Sequence, residues 1–585
     1  MEFNLAQVHE AVEAAVPDRE CIVFGDRRLS YRDVGDRTRA LANALRAAGL
    51  GSVQPRAGLA GHESGQDHLA IYLHNGNEYL ESMLGAYKAR VAPFNVNYRY
   101  VGAELEGLLR AAHARGIVFH STFAPLLGEV LDRLPLLEVL IQVDDGTGGD
   151  LLPGARWYED MLSDHAGALP DGLAASWSPD DLYLLFTGGT TGAPKGVLWR
   201  QADIFVGALG GRRLDTGVEW EGLDEIITAA PAGGSRLLPG PPFMHGAAHW
   251  MAFNGFTNAN TVVLPRVTDR LDPADLLRTV ESEQVNIVLI VGDAFGRPLA
   301  QELERHSYEL SSLLITVSGG ASLSAGVKER LLCAVPTMLV LDGLGASETG
   351  QQASRLSSAG QRATTGTFTP GTGMRVLSRD LTRVLQPGID ELGWLAQTGR
   401  VPLGYLDDPG STSRTFPMID GRRFAVPGDR ARLLGDGTVE LLGRDSATIN
   451  SGGEKVFAEE VERALLRHPS VADCLVVGRP SARWGQEVVA VLELLDGSDD
   501  IPDADLLAAP VPHIARYKLP KKIIRVTTVH RSASGKADYR WAAATASLTG
   551  AETDATGAGT GPTGSSGSGG PTDPTGAEGG PVGAS

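Results

Sequence analysis

The sequence predicts an α/β protein with a large N-terminal part and a small α+β C-terminal part. From Ser178 onward, short apolar runs alternate with segments of helical period, the pattern of buried parallel strands joined by crossover helices. After Gly443, a helix at 458–467 and two short strand-like runs form a unit of about a hundred residues, enough for a core of its own. A chain of 585 residues is also too long for one ordinary core.

The individual elements follow from local patterns. Residues 29–45 indicate a strand, a turn and an amphipathic helix, 51–66 a polar surface loop and 69–73 a buried strand. Asp272 and Pro273 are suited to the N-cap and first turn of a helix that runs to Ser282, and Ser324 begins another that ends near Pro336. The predicted buried strands of the main body are 182–186, 261–264, 287–291, 313–317 and 338–341, and the C-terminal strands are 471–477 and 488–494.

Composition and charge exclude several classes of protein. Hydrophobic residues make up 42% of the chain, as in globular proteins, but the longest apolar runs fall short of the about 18 residues that span a bilayer. The N-terminus has no basic segment of a signal peptide, so a cytoplasmic location is expected. A formal net charge of −19 disfavours nucleic acid as a partner, and any phosphate site must be built locally. Cys21, Cys333 and Cys474 lie far apart, which argues against zinc or disulfides and predicts three buried thiols.

The most informative segment is a glycine- and threonine-rich loop that directly follows a predicted buried strand. Its backbone N–H groups and hydroxyls can face phosphate oxygens, and a lysine adds a compact positive charge. No Gly-Lys-Ser/Thr sequence ends the loop and no helix follows at once, so a P-loop ATPase is not predicted. The residues concerned are Thr187, Gly188, Gly189, Thr190, Thr191, Gly192 and Lys195.

This loop resembles the signature loop of the adenylate-forming superfamily, which includes acyl-CoA synthetases, luciferases and peptide-synthetase adenylation domains. Further segments resemble the other motifs of that family and occur in the family's order: 241–246, 318–322, 342–350, 424–429, 443–445, 451–462 and 531–536. The resemblance therefore covers nearly the whole chain. It implies a large N-terminal adenylate-forming domain of layered sheets and helices at 1–443 and a small mobile domain at 444–545. Residues 546–585, rich in Gly, Thr, Ser and Pro, are expected to form a disordered tail.

The resemblance also implies roles for individual residues. His245 would position the carboxylate of the acid, Glu348 would hold Mg²⁺, and Lys536 would enter the site for the adenylation step. Asp445 would be the hinge of the mobile domain. The glycines Gly452 and Gly453 would line the channel for the pantetheine arm of coenzyme A. ATP would contact the loop described above and Gly319, Gly320, Ala321, Asp342, Gly343, Leu344, Ser347, Asp429 and Arg444.

Two features depart from the family pattern: Leu344, and residues 424–427, which precede the retained Gly428 and Asp429 and differ from the family's motif. Leu344 stands where many members have an aromatic residue that stacks on adenine, so the adenine contact is expected to be weaker or purely apolar. Glu348 and Lys536 are retained, which preserves the predicted magnesium ligand and the adenylation lysine.

The function implied by the resemblance is an ATP- and Mg²⁺-dependent acid:CoA ligase that forms acyl-AMP and then acyl-CoA. The motifs look like those of actinobacterial ligases of fatty acids and steroid side-chain acids, and the small residues Gly207, Ala208, Ala247 and Ala248 leave room for a bulky apolar acid. Two alternatives remain open: transfer of the acyl group to a carrier protein, and an inactive relative that only binds nucleotide or acyl ligands. The sequence leaves the oligomeric state open, and a homodimer is one possible assembly.

Overall fold

A long mixed β-sheet runs through the main body of the protein. The computed structural model describes residues 2–187, 194–361, 364–451, 454–481, 483–498, 500–511, 513–532 and 535–554. The sheet is parallel from Glu20–Phe24 to Leu339–Ala346 and antiparallel beyond. In spatial order its strands are Arg27–Ser30, Glu20–Phe24, Thr261–Leu264, Arg236–Pro239, Ile287–Ile290, Ile315–Gly319, Leu339–Ala346, Gly350–Ser357, Thr367–Pro370, Val439–Arg444, Asp429–Leu433, Gly393–Thr398, Arg422–Ala425 and Met418–Ile419, and Met374–Leu377 pairs with Gly393–Thr398.

Two smaller sheets complete the main body. A parallel sheet near the N-terminus has the strand order Ala92–Asn95, His68–Tyr72, Ala114–His120, Val139–Val143 and Arg156–Trp157. The other is antiparallel, with the order Gly404–Tyr405, Lys195–Arg200 and Leu182–Thr187. This antiparallel sheet flanks the predicted phosphate loop, because the strands on either side of that loop pair with each other.

Helices cover the sheets and bury their apolar faces, as expected of a layered α/β architecture. In chain order the helices are Leu5–Ala15, Tyr31–Ala47, Asn77–Ala89, Gly102–Ala111, Ala124–Val130, Tyr158–Asp164, Gln201–Ala208, Leu223–Ala229, Gly246–Thr257, Pro273–Ser282, Gly292–Arg305, Ala325–Ala334, Pro409–Thr415, Ala458–Leu465, Asp503–Ala508 and Tyr539–Asp554. None of these helices combines the length and the hydropathy that crossing a bilayer requires.

Both helix starts predicted from capping residues are confirmed. The side chain of Asp272 accepts a hydrogen bond from the Asp275 N–H, and the helix runs from Pro273 to Ser282. Ser324 is the N-cap of the helix Ala325–Ala334, but its side chain makes no capping bond; instead its backbone N–H donates to the buried carboxylate of Asp293 at 2.6 Å. The strand predicted at 313–317 is displaced by two residues, to Ile315–Gly319.

The C-terminal residues form a separate sheet. Val439–Arg444 is the last strand in the chain to join the long sheet, and Thr448–Ser451 begins a new one, so the sheet membership changes across the short turn Asp445–Ala447. Helix Ala458–Leu465 packs on this C-terminal sheet. The strands of the new sheet are Glu454–Phe457, Thr448–Ser451, Gly485–Leu494 and Val471–Ser481, and Lys522–Val526 pairs in parallel with Gly485–Leu494.

Two sequence-based expectations need correction. The helix Tyr539–Asp554 continues past 546, so the first residues of the predicted disordered tail are helical, and Ala542 and Ala546 are buried against the C-terminal sheet. Small alanine side chains favour a helix and let it approach a sheet closely. Residues 555–585 lie outside the described residues. Of the three cysteines, Cys21 and Cys474 are buried as predicted, but Cys333 is exposed.

Candidate active site

The predicted site residues of the main body lie along one edge of the long sheet. His245 follows strand Arg236–Pro239, Gly319 ends strand Ile315–Gly319, and Glu348 comes two residues after strand Leu339–Ala346. These three strands belong to the parallel part of the sheet, so their carboxyl ends meet at the same edge. In open parallel sheets this edge is where ligands bind.

Glu348 is held by a tyrosine that the motif analysis missed. The hydroxyl of Tyr405 donates a hydrogen bond to Glu348 Oε1 at 2.9 Å, and Lys195 Nζ lies 5.0 Å from the centre of the Tyr405 ring. Burial is the largest cause of the raised pKa of Tyr405, and the negative charge of Glu348 raises that pKa further. The Tyr405 hydroxyl therefore stays protonated and donates. Tyr405 comes from the short strand Gly404–Tyr405, whose pairing with Lys195–Arg200 brings it to the site. No local sequence pattern marked this residue.

The two ends of the predicted phosphate loop are placed side by side. Thr187 and Lys195 are paired residues of two antiparallel strands. Lys195 Nζ donates to Ser411 Oγ at 2.6 Å and lies 3.6 Å from the carboxylate of Asp408. Gly188, Gly189, Thr190, Thr191 and Gly192 lie outside the described residues, as do Gly452 and Gly453 of the predicted coenzyme A channel.

Two glycine positions leave free space next to the sheet edge. A Cβ atom built on Gly319 would meet no atom nearer than 4.0 Å, and one on Gly343 none nearer than 3.6 Å. The two residues are partners in the register of neighbouring strands. Gly320 has a φ of +82°, a conformation that glycine adopts without strain, and the chain turns there toward Ala321. A flat group could therefore approach the backbone at Gly319 and Gly343.

The residues beside this glycine pair are already engaged by the protein. Lys328, fully buried, donates to the carboxylate of Asp342 and to the carbonyl of Thr364 at 2.9 Å. Burial raises the pKa of Asp342, and the charge of Lys328 acts in the opposite direction. Leu344 packs against the apolar cluster that contains Ala353 and Met374.

Asp429 and Arg444 form an ion pair across two strands. They are register partners in the antiparallel pair Asp429–Leu433 and Val439–Arg444, and Arg444 Nε lies 3.4 Å from Asp429 Oδ1. The charge of Asp429 is the largest cause of the raised pKa of Arg444, and Glu348 acts in the same direction. Two of the residues predicted to contact ATP are therefore adjacent.

Lys536 reaches this group from the C-terminal part of the chain. It sits in a tight turn in which the Ser532 N–H donates to the Lys536 carbonyl at 2.8 Å. A Cβ on Gly535, whose φ is +70°, would approach Ala294 and Val291 to about 3 Å, so the turn is seated on the main body. Lys536 is solvent-exposed, but the surrounding protein partly desolvates its ammonium group. This desolvation and the charge of Arg444 both lower the pKa of Lys536. The negative charge of Glu348 acts in the opposite direction and raises that pKa.

His245 also lies within range of Lys536. It is the N-cap of helix Gly246–Thr257, called the His245 helix below, and its Nε2 atom is buried with no hydrogen-bond partner among the described residues. Burial and, next, the charge of Lys536 lower the pKa of His245 to about 3. The imidazole is therefore neutral at neutral pH. A neutral ring with a free nitrogen can orient a ligand but is a poor proton donor.

The predicted hinge residue occupies the junction between the two sheets. The Asp445 N–H donates to the Gly428 carbonyl at 3.0 Å, and its carboxylate lies 3.7 Å from Arg430 and 3.9 Å from Lys455. Nearby, Arg463 Nη1 donates to the Leu441 carbonyl at 2.6 Å and thereby joins the helix Ala458–Leu465 to the main body.

Comparison with known proteins agrees with this arrangement. The AMP-binding enzyme family model matches residues 9–396, and the model of the AMP-binding enzyme C-terminal domain matches residues 460–536. The chain belongs to the AMP-binding enzyme family. This membership confirms the family predicted from the loop at 187–195 and its companion motifs.

Curated relatives of this AMP-binding enzyme are acyl-CoA ligases. It is 52% identical to the medium-chain acyl-CoA ligase Mig of Mycobacterium avium, over 92% of this chain and 98% of the relative. It is 36% identical to a 3-oxocholest-4-en-26-oate–CoA ligase of Rhodococcus rhodochrous, over 93% and 96% of the two chains. The predicted enzyme class, an AMP-forming acid–thiol ligase, is thereby confirmed.

Solved structures confirm the predicted fold class. The anthranilate CoA ligase AuaEII in complex with anthranoyl-AMP matches with a TM-score of 0.76 at 20% identity, over 94% of this chain and 98% of that chain. ATP-bound MatB from Rhodopseudomonas palustris matches with a TM-score of 0.74 at 22% identity, over 93% and 99%. An α/β main body and a smaller C-terminal domain are common to this fold.

Proposed function

We propose that this enzyme activates an apolar carboxylic acid with ATP and Mg²⁺ as an acyl-adenylate and then transfers the acyl group to coenzyme A. One observation carries the proposal. His245, Glu348 and Lys536 come from distant parts of the chain but meet at one edge of the long sheet. The first two follow the parallel strands Arg236–Pro239 and Leu339–Ala346, and Gly535, next to Lys536, packs on Val291 and Ala294 at the end of the strand Ile287–Ile290. Two cations, Lys536 and Arg444, with the carboxylate of Glu348 and the neutral imidazole of His245, suit a reaction between a carboxylate and a triphosphate.

In the first half-reaction, a carboxylate oxygen of the acid attacks the α-phosphorus of ATP and pyrophosphate leaves. Lys536 and Arg444 stabilise the negative charge that develops on the phosphate oxygens, and the free nitrogen of His245 orients the acid. Asp429 accepts hydrogen bonds from the ribose hydroxyls, and the loop from Thr187 to Lys195 surrounds the phosphates.

The residues present fit a magnesium ion that is bound together with ATP. Mg²⁺ in such sites takes one or two carboxylates and completes its shell with phosphates and water. Glu348 is a half-buried carboxylate whose Oε1 is oriented by Tyr405, and it stands beside the predicted phosphate contacts. When bound, the ion neutralises phosphate charge and polarises the α-phosphate.

In the second half-reaction, the coenzyme A thiol attacks the acyl carbonyl, AMP leaves and the thiol proton is released. We propose that the domain 444–545 first rotates about Asp445. The rotation has to break the bond from Arg463 to the Leu441 carbonyl and lift Gly535 from Val291 and Ala294. It withdraws Lys536 and brings Gly452 and Gly453 to the thiol.

The proposed substrate is a fatty or bulky apolar acid. Ala247, Trp250 and Met251 form a partly exposed apolar face on the His245 helix, next to the position proposed for the acid's carboxylate. Ala248, which the sequence suggested as a pocket residue, is fully buried and faces the core instead. The named substrates of the relatives, medium-chain acids and a steroid acid, are of this apolar class. The cytoplasmic location and the homodimer stay predictions.

The proposal is tested by measuring AMP release with ATP and Mg²⁺ over a panel of fatty, aromatic and steroid acids, with and without coenzyme A. The expected result is a thioester, identified by mass, from the apolar acids. Formation of acyl-AMP with no thioester would favour transfer to a carrier protein, and no AMP with any acid would favour an inactive binding relative.

Glu348→Gln is expected to lower adenylation at saturating ATP by about a hundredfold, because an amide is a much weaker ligand for a hard cation than a carboxylate. The Mg²⁺ concentration at half-maximal rate should rise in the variant. Glu129→Gln, an exposed substitution on helix Ala124–Val130, serves as the matched control. A variant with an unchanged Mg²⁺ dependence would remove Glu348 from the metal site.

A further inference from the structure

A buried asparagine, Asn95, joins the segment that leads into the phosphate loop to the segment that carries His245. Asn95 is the last residue of the strand Ala92–Asn95 and is 9% exposed. Its amide nitrogen donates to the Phe186 carbonyl at 2.9 Å and to the Met244 carbonyl at 2.7 Å. Its amide oxygen accepts from the Phe186 N–H at 2.8 Å. Both N–H groups and the oxygen of the side chain are therefore engaged.

The two residues that Asn95 holds are the immediate chain neighbours of predicted site residues. Phe186 precedes Thr187, the first residue of the predicted phosphate loop, and Met244 precedes His245. Phe186 belongs to the three-stranded antiparallel sheet, whereas the turn with Met244 follows a strand of the long sheet. Asn95 itself belongs to the parallel sheet near the N-terminus. One side chain thus connects strand ends from three sheets at the proposed site.

Apolar side chains surround these hydrogen bonds. The rings of Phe94 and Phe186 pack with their centres 5.3 Å apart, and both belong to a buried cluster that includes Leu184 and Leu198. Hydrogen bonds are electrostatically stronger in such surroundings than in water, and a backbone group that loses its partner there is costly. The bonds of Asn95 therefore hold the strand end and the turn at a fixed separation.

A second buried link supports the same turn. His249, which is 2% exposed, donates from Nδ1 to the Phe243 carbonyl at 2.7 Å. Burial lowers the pKa of His249 to about 4, so the ring is neutral at neutral pH and its Nε2 accepts a hydrogen bond from the Tyr183 hydroxyl. Tyr183 lies on the strand that leads into the phosphate loop. This link reaches the turn two residues before His245, whereas Asn95 holds the residue directly before it.

We propose that Asn95 is a positioning residue for adenylation: it fixes the phosphate loop relative to His245 and so aligns the carboxylate of the acid with the α-phosphorus of ATP. The inference rests on the proposed ligase function. Acid and ATP are separate molecules until acyl-AMP forms, so the protein sets their relative position, and a misplacement of about 1 Å can cost about a hundredfold in rate. In acyl-AMP a covalent bond joins the two parts. Thioester formation therefore no longer depends on this alignment.

Asn95→Ala tests this role, with the acid that the wild-type enzyme turns over fastest in the panel above. The kcat of acyl-AMP formation, followed by pyrophosphate release, should fall by about a hundredfold. The KM values for ATP and the acid should change by less than about threefold, because the groups that bind each substrate remain. Thioester formation from added acyl-AMP and coenzyme A should also fall by less than about threefold. Both rates are measured on one preparation, so their ratio does not depend on the folded fraction.

Asn260→Ala is the matched control. Asn260 is also buried, and its side-chain oxygen accepts from the N–H groups of Gly234 and Ser235, both at 3.0 Å. These bonds lie before the first residue of the strand Arg236–Pro239, at the end opposite the site. The control should lower the thermal midpoint but keep the wild-type ratio of the two half-reactions. If Asn95→Ala is insoluble, Asn95→Ser, which retains one donor, replaces it and should shift the ratio in the same direction.

Equal losses in the two half-reactions of the Asn95 variant would overturn the inference, because they would make Asn95 a residue of the fold alone. A wild-type rate of adenylation in that variant would overturn it as well. In both cases the wild-type enzyme would still form acyl-AMP, and the proposed function would stand. Failure of the wild-type enzyme to form acyl-AMP with any acid would instead overturn the proposed function and this inference with it.

Discussion

Lys536→Ala is expected to lower the rate of acyl-AMP formation by about a hundred- to a thousandfold, the usual effect of removing one pre-organised group that stabilises charge in a transition state. The turn that carries Lys536 is seated on Val291 and Ala294, so its ammonium is held at the cleft without the cost of ordering a free chain. Thioester formation from added acyl-AMP should be nearly unchanged, because we propose that Lys536 has left the site by then. Pyrophosphate release and acyl-CoA formation, measured separately, give the two rates.

The matched control is Lys522→Ala, which removes an exposed lysine of the same domain and should change neither half-reaction. Equal losses in both half-reactions of Lys536→Ala would contradict an adenylation-specific role. The pH profile gives a second readout. Partial desolvation and the charge of Arg444 lower the pKa of Lys536, so its charge is lost at a lower pH than that of a free lysine. Adenylation should fall as the pH rises through that value. Lys536→Arg, which stays charged, should lack this alkaline fall.

Lys328→Met is expected to destabilise the protein by about 3 kcal/mol, because it leaves the largely buried carboxylate of Asp342 without its cation. Lys328 is fully buried, so methionine can occupy much the same space, and the effect arises from the unpaired charge rather than from a cavity. Burial already raises the pKa of Asp342, and loss of Lys328 should raise it further. The loss of stability should therefore be largest at neutral pH and shrink as the pH falls and Asp342 becomes protonated.

Urea unfolding at several pH values measures this effect. The double variant Lys328→Met/Asp342→Asn removes both charges and should recover part of the stability, as is usual when both members of a buried pair are replaced. Lys88→Met is the comparison at a second buried lysine, which pairs with Glu10. If Lys328→Met were as stable as the wild-type protein at neutral pH, the pair would contribute nothing to folding.

Local patterns were sufficient for the elements whose boundaries are set by local chemistry. Pro273 begins its helix because its fixed φ and missing N–H suit a first turn, and Asp272 caps the same turn. The apolar run at 261–264 is a strand in the parallel sheet because both of its faces are covered. By contrast, the helix that continues past 546 is stabilised by burial of Ala542 and Ala546 on a sheet formed by residues far earlier in the chain. The amino-acid composition of the tail contains no information about this contact.

The amino-acid sequence by itself determined the family, the α/β class and the order of the motifs, because each motif is a contiguous run whose glycines, hydroxyls and charges have a local chemical reason. Tertiary structure alone decided which other residues serve the site. Tyr405 reaches Glu348 through the pairing of two strands, and Lys328 neutralises Asp342 from a neighbouring helix. Each of these relations joins residues distant in sequence, and only the packed chain brings their atoms within bonding range.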